Sequence, residues 1–113
     1  MEQERRRTPR YPFIASAEIV EASSGTKTTI KVSELSLNGC YVETPNPMEI
    51  GAALVIKIFK EPHFFEATAR VAYSQANVGM GLSFLETKPF FLQVLQKWLL
   101  SAMVAKKSLG PRS

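Results

Sequence analysis

The stretch "TTIKVSELSLNGCYVET" (residues 28–44) holds two short alternating runs on either side of a turn-forming quartet. In residues 28–35, Ile30 and Val32 fall on one face of an extended strand, because successive side chains of a strand point to opposite faces. In residues 40–44, Cys40 alternates with Val42 in the same way. Between the runs stands Ser36-Leu37-Asn38-Gly39, and an Asn-Gly pair between two such runs is a strong tight-turn signal. The stretch therefore reads as a β-hairpin. The same grammar extends outward in both directions. Upstream, "FIASAEIVEA" (13–22) alternates and is rich in small and β-branched residues, and "SSGTK" turns it into the hairpin. Downstream, "PNPMEIG" is a loop, "AALVIKIFK" (52–60) a strand, "EPH" a turn and "FFEATARVAYS" (64–74) a strand. "QANVG" turns again and "MGLSFLE" (80–86) is the last strand. Six short strands at this spacing predict an all-β fold, a six-stranded antiparallel β-barrel. The period then changes. Over 88–107, Phe91, Val94, Leu95, Trp98 and Ala102 share one helical face, with Leu92 and Leu99 beside it, so a C-terminal α-helix follows. Thr87 is the expected cap and Pro89 lies in the first turn. The organisation expected is a flexible basic arm (1–12), a barrel (13–86), a helix (87–107) and a tail (108–113).

Composition narrows the function. The 113 residues form one domain with 45% hydrophobic residues, a normal globular fraction. The net charge is +4, but it is concentrated at the ends. Residues 1–10 carry four arginines, and residues 87–113 carry five bases and no acid. Residues 11–86 hold five bases against eight glutamates, so the barrel itself is slightly acidic. Basic ends point to an anionic partner such as phosphate, nucleic acid or a membrane surface. A single cysteine, Cys40, excludes an intrachain disulfide. The charged N-terminus lacks the apolar core of a signal peptide, and Lys97 interrupts the longest apolar run. A cytoplasmic protein without membrane insertion is expected.

Catalytic constellations are missing. The lone His63 falls in a predicted turn with no second ligand nearby for a metal. Cys40 reads as a small core residue, not a nucleophile. No glycine-rich loop leads into a helix. The expectation is a protein that is not an enzyme and has no cofactor or metal.

Two motifs carry a more specific signal. Arg6 and Arg10 stand four apart in "RRTPR", and "ELSLNG" (34–39) follows about two dozen residues later. "GMGLSF" (79–84) then leads into the last strand. In this order the chain resembles the PilZ domain family, receptors for the bacterial second messenger cyclic di-GMP, over roughly residues 5–86. The family pattern is Arg-x-x-x-Arg followed by Asp/Asn-x-Ser-x-x-Gly. By position, Arg6 and Arg10 match its arginines and Ser36 and Gly39 match its second motif. Glu34 departs from it, standing where the family has Asp or Asn. The resemblance implies cyclic di-GMP as ligand, Arg5, Arg6, Arg10, Glu34, Ser36 and Gly39 as its contacts, and a six-stranded barrel with a C-terminal helix. The chemistry is consistent. Arginine grips phosphate with paired donors and stacks on purines. A carboxylate or hydroxyl accepts the N–H donors of a guanine edge. Gly39 is expected to turn the chain so that Glu34 and Ser36 point outward. Arg5, just before the motif, suits a second stacked nucleotide.

On this reading the arm orders on the ligand and changes contacts with a downstream protein. The alternative is a degenerate PilZ-like domain, a protein-interaction adaptor without nucleotide binding, which Glu34 favours. Leu100 and Val104, opposite the helix's core face, suit a homodimer or partner contact. A small-barrel binder of RNA or single-stranded DNA would use Tyr41, Phe64, Phe65 and Tyr73. The acidic barrel argues against nucleic acid, and these aromatics are expected on core faces.

Overall fold

The computed structural model describes residues 9–109. Six strands and one helix follow in order: β1 (Tyr11–Glu21), β2 (Lys27–Leu35), β3 (Gly39–Glu43), β4 (Ala53–Lys60), β5 (His63–Gln75), β6 (Gly79–Glu86) and α1 (Pro89–Leu109). The strands close into an antiparallel barrel in the order β1-β2-β3-β6-β5-β4. β1 opens at Tyr11, two residues before the expected start of the barrel, and α1 runs two residues past its expected end.

Alternation explains the interior. Phe13, Ala15, Ala17 and Ile19 of β1 point inward, as do Leu54, Ile56 and Ile58 of β4 and Phe65, Ala67, Ala69 and Val71 of β5. Alanines on β1 and β5 make room for the larger side chains they face, as a small barrel filled by its own residues requires. Packed against β1 and β5, α1 buries Val94 and Leu95. Trp98 stacks on Phe13 at 5.3 Å, and Phe91 meets Phe64 at 5.3 Å and the fully buried Phe65 at 6.4 Å. Such aromatic pairs add about 0.5–1.5 kcal/mol each beyond the area they bury. Leu100, Met103 and Val104 remain exposed on the helix.

The helix starts differently from expectation. Its first intrahelical bond runs from Leu92 N–H to the Lys88 carbonyl, so Lys88, not Thr87, holds the cap position. Pro89 takes the first helical place, where its missing N–H costs nothing.

The predicted tight turn at Asn38-Gly39 is present, but neither residue has positive φ; among the described residues, Asn77, in the β5–β6 turn, is the non-glycine residue that does (φ 65°). The turn is held instead by Ser36. Its Oγ accepts from the N–H groups of Asn38 (3.2 Å) and Gly39 (3.1 Å) and donates to the Gly39 carbonyl at 3.2 Å.

Candidate functional site

Strand register assembles one transverse row on the outside of the barrel. Glu34 of β2 pairs with Tyr41 of β3, Tyr41 with Gly81 of β6, and Gly81 with Tyr73 of β5. Two of these residues reach the outer face only because the strands are irregular. Ile30 and Val32 point inward, so strict alternation would carry Glu34 inward as well. A bulge between Val32 and Glu34 inserts Ser33 as an extra residue, which turns Glu34 outward and sends Leu35 into the core. On β5, Phe65, Ala67, Ala69 and Val71 point inward, and Tyr73 would follow. A second bulge, between Val71 and Tyr73, inserts Ala72 and turns Tyr73 out. A bulge re-aims side chains in this way because two residues on one strand oppose a single residue on its neighbour.

Glycines then clear the floor of the row. A Cβ on Gly81 would run into the Tyr73 ring, and one on Gly79 would meet the Tyr41 ring and the Val42 carbonyl. The two tyrosines therefore lie over bare backbone of β6, their ring centroids 6.1 Å apart and their planes 28° apart. Tyr41 donates its hydroxyl to Gln75 Oε1 at 2.5 Å. Partial burial first, then Tyr73, Glu43 and Glu34 nearby, hold the Tyr41 phenol above its usual range, so it stays a protonated donor.

Arg10, the residue before β1, spans the row. Its Nη1 donates to the Tyr73 hydroxyl at 3.0 Å and stands 3.4 Å from Glu34 Oε1. The Glu34 contact is longer than the 2.7–2.9 Å of a strong charge-assisted bond. Both side chains also keep solvent exposure, 32% for Arg10 and 47% for Glu34. An ion pair of this kind contributes about 0–1 kcal/mol, so Arg10 is held lightly and can be drawn to a stronger anion.

The other expected contacts fall differently. Arg5 and Arg6 lie outside the described residues. Ser36 does not point outward: it is buried, with its hydroxyl committed to its own turn. Gly39 is required not for a sharp turn but for close approach of β3 to β6, because a Cβ there would strike the Leu82 carbonyl oxygen. Cys40 is a core residue as read; burial pushes its thiol up to about 12, so it carries no thiolate near neutral pH. The placement of the aromatics needs correction. Phe65 is buried, but Phe64 and Tyr73 are exposed and Tyr41 is half-buried. For Phe64 and Tyr41 alternation itself gives the reason, since Phe65 on one side and Cys40 and Val42 on the other take the inward places. Sequence reasoning thus missed Tyr41, Tyr73 and their glycine floor. The available signal was Gly79-Met80-Gly81: two glycines on one face of a strand mark a close approach from outside.

Among the described residues, no group of three or more His, Cys, Asp or Glu is placed to hold a metal ion. No described helix is long and apolar enough to cross a membrane. Two surface hollows of ≈ 480 Å³ lie elsewhere, one beside the start of α1 and one between β1 and Trp98. The row is an open face, not a cavity.

The fold meets its counterparts in known proteins. A sequence profile for the PilZ domain matches residues 4–101. The PilZ domain with c-di-GMP of YcgR from Escherichia coli superposes with a TM-score of 0.75 at 17% identity, covering 96% of this chain and 99% of that one. The Bacillus subtilis inhibitor of motility, MotI/DgrA, superposes with a TM-score of 0.73 at 18% identity, over 89% of this chain and 52% of that one. MrkH, described as a c-di-GMP-dependent transcription regulatory factor, gives 0.70 at 16% identity, over 88% of this chain and 51% of that one. This chain thus spans about half the length of the last two. No curated protein matches. The chain belongs to the PilZ domain family.

Proposed function

We propose that this PilZ domain is a receptor for cyclic di-GMP, acting in the cytoplasm and making or breaking no covalent bond. The observation that carries the reading is the meeting of Arg10 and Glu34, 24 residues apart, one from each sequence motif, on one outer face. Arg6 and Arg10 take the phosphates, and Arg5 contacts a second nucleotide. Glu34 accepts from a guanine edge, while Ser36 and Gly39 fix the turn that sets its height. The PilZ domain of YcgR, similar over almost its whole length, was determined with c-di-GMP, which supports the ligand class. Residues 1–12 close over the ligand and alter contacts with a downstream protein. The outer face of α1, with Leu100, Met103 and Val104 exposed, carries that output. A second copy of the chain is the partner to test there, by sedimentation with and without nucleotide.

Calorimetric titration with cyclic di-GMP tests the reading. Wild type should bind, and Arg10→Ala should lose nearly all affinity while melting within a few degrees of wild type, because an exposed side chain outside the core costs little stability. Arg10→Ala binding as well as wild type would remove the assignment. One observation favours the adaptor reading instead: Ser36 is turned inward, with its hydroxyl committed to its own turn. A folded wild type that gives no heat with the nucleotide would remove the receptor reading and leave the adaptor reading to be tested by partner binding.

A further inference from the structure

We propose that Tyr73, flanked by Tyr41, is a base-stacking platform and a fourth element of the nucleotide site beside the arginines, the carboxylate and the turn. This inference rests on the receptor reading above and names a residue outside both sequence motifs.

An outward aromatic on a barrel strand is by itself unremarkable, so the argument lies in how this one is built. The inner side of its ring is met by Gly81, whose missing Cβ lets the ring lie down on β6. The residue nevertheless stays 41% exposed, so a side of the ring still faces solvent. The ring does not turn freely in that position. Its hydroxyl accepts from Arg10 at 3.0 Å, and Tyr41 beside it is tied to Gln75. A binding surface fixed before the ligand arrives loses less side-chain freedom on association. Tyr41 adjoins the Tyr73 ring, 6.1 Å between ring centroids and 28° between planes, so the two aromatic side chains stand together on this face. Around the pair stand the other groups a guanine nucleotide needs: a carboxylate acceptor at Glu34 and a guanidinium at Arg10.

A purely structural role does not account for the arrangement. Covering Gly81 requires only some apolar side chain from a neighbouring strand. It does not require the β5 bulge, which interrupts the ladder between Val71 and Tyr73 and takes Tyr73 off the interior face. Nor does it require the bond to Arg10. Bulge, glycine and hydrogen bond each act on the same ring, and together they present its free side beside the phosphate-binding arginine.

Cyclic di-GMP is the probe for the test. Wild type, Tyr73→Phe and Tyr73→Leu are titrated calorimetrically, each after a thermal melt to establish that it folds. Leucine keeps apolar cover over Gly81 but removes the π face. Base stacking on an aromatic is worth enough that its loss should weaken binding about tenfold, while phenylalanine should stay within about threefold of wild type. Nucleotide bound to wild type should also give an intermolecular NOE between a guanine proton and the Tyr73 ring protons, which stacking between two guanines cannot produce. That measurement needs no variant, so it decides the matter even if Tyr73→Leu fails to fold. Wild-type binding without that NOE, or with Tyr73→Leu binding as tightly as wild type, overturns the platform and leaves the receptor reading standing. Absence of any wild-type binding overturns the receptor reading, and the platform with it.

Discussion

Shortening Glu34 by one methylene should strengthen nucleotide binding. Glu34 Oε1 stands 3.4 Å from Arg10 Nη1. Glu34→Asp draws the carboxylate back by roughly one C–C bond, about 1.5 Å. The gap then approaches 5 Å, beyond any direct ion pair. In the free protein this pair competes with the ligand for Arg10, so its loss removes a cost of binding. A partly exposed pair contributes about 0–1 kcal/mol. Its release therefore raises affinity by at most about fivefold, since 1.4 kcal/mol is tenfold. The shorter carboxylate still faces the ligand, as the Asp or Asn of the family pattern does. Glu34→Ala frees Arg10 equally but leaves the guanine donors without an acceptor, and a hydrogen bond to a charged group contributes about 1.5–3 kcal/mol. The net effect is weaker binding, by between about twofold and 150-fold. The assay is calorimetry of the three proteins with cyclic di-GMP, at low and at high salt. Salt should narrow the gap between Glu34→Asp and wild type, because the competing pair is screened. If Glu34→Asp binds no better and Glu34→Ala loses nothing, Glu34 neither restrains Arg10 nor touches the ligand, and the adaptor reading gains.

Two glycine substitutions should separate stability from binding. Gly39→Ala sets a Cβ against the Leu82 backbone carbonyl, so β3 and β6 must part, and the loss should exceed about 2 kcal/mol, visible as a melting temperature lower by several degrees. Gly81→Ala sets its Cβ against the Tyr73 ring, an exposed side chain that can be displaced at the cost of its one bond to Arg10, so it should lose less stability than Gly39→Ala and bind cyclic di-GMP more weakly; a drop in melting temperature as large as that of Gly39→Ala would contradict this. Burial raises the Cys40 thiol from 9.0 to about 12 in the folded state, so the folded protein keeps a proton that the unfolded chain gives up. Its contribution is complete below about pH 9 and is lost as pH rises toward about 12, so denaturant melts should show stability falling across that window and Cys40→Ala should flatten the fall. If Arg5 contacts a second nucleotide, calorimetry gives a stoichiometry of two per chain, reduced to one in Arg5→Ala; a wild-type value of one excludes it.

Most of the architecture was legible in the residues because it follows from local rules. Alternation fixed the six strands, glycine and proline clusters fixed their ends, and the change of period at residue 88 fixed the helix and its inward face. The errors arose where a feature depends on pairing between strands. Ala69 and Val71 predict an inward Tyr73, and that expectation fails at a single inserted residue, Ala72, whose own identity gives no warning. Glu34 does point outward as expected, but through the inserted Ser33 and not through the turn at Gly39. A bulge is a property of the ladder and not of one strand's sequence. Ser36 failed for another reason. A hydroxyl at the start of a turn can reach a ligand or close the turn, and here the local backbone donors are nearer.

Several of the places where local rules break adjoin one another. β2 and β5 each carry a bulge, and β6 carries two glycines where a strand interior ordinarily favours side chains that pack. Each exception weakens the barrel, since a bulge interrupts the ladder and a strand glycine leaves nothing to pack. Other ladders of the same barrel do without them: β1 and β4 pair over six consecutive residues, Ser16 to Glu21, with no shift. Further shifts lie between Pro12 and Ala15 and between Thr68 and Ala69, yet the bulges at Ser33 and Ala72 and the two glycines converge on adjoining positions of one outer face. One bulge delivers Glu34, the other delivers Tyr73, and the glycines seat Tyr41 and Tyr73 between them. Arg10 then crosses the same face to touch both delivered residues. Stability forgone at several independent positions for the sake of one surface is the pattern expected of a binding site. It gives the proposed site a geometric argument that does not depend on the arginine motif that first suggested a ligand.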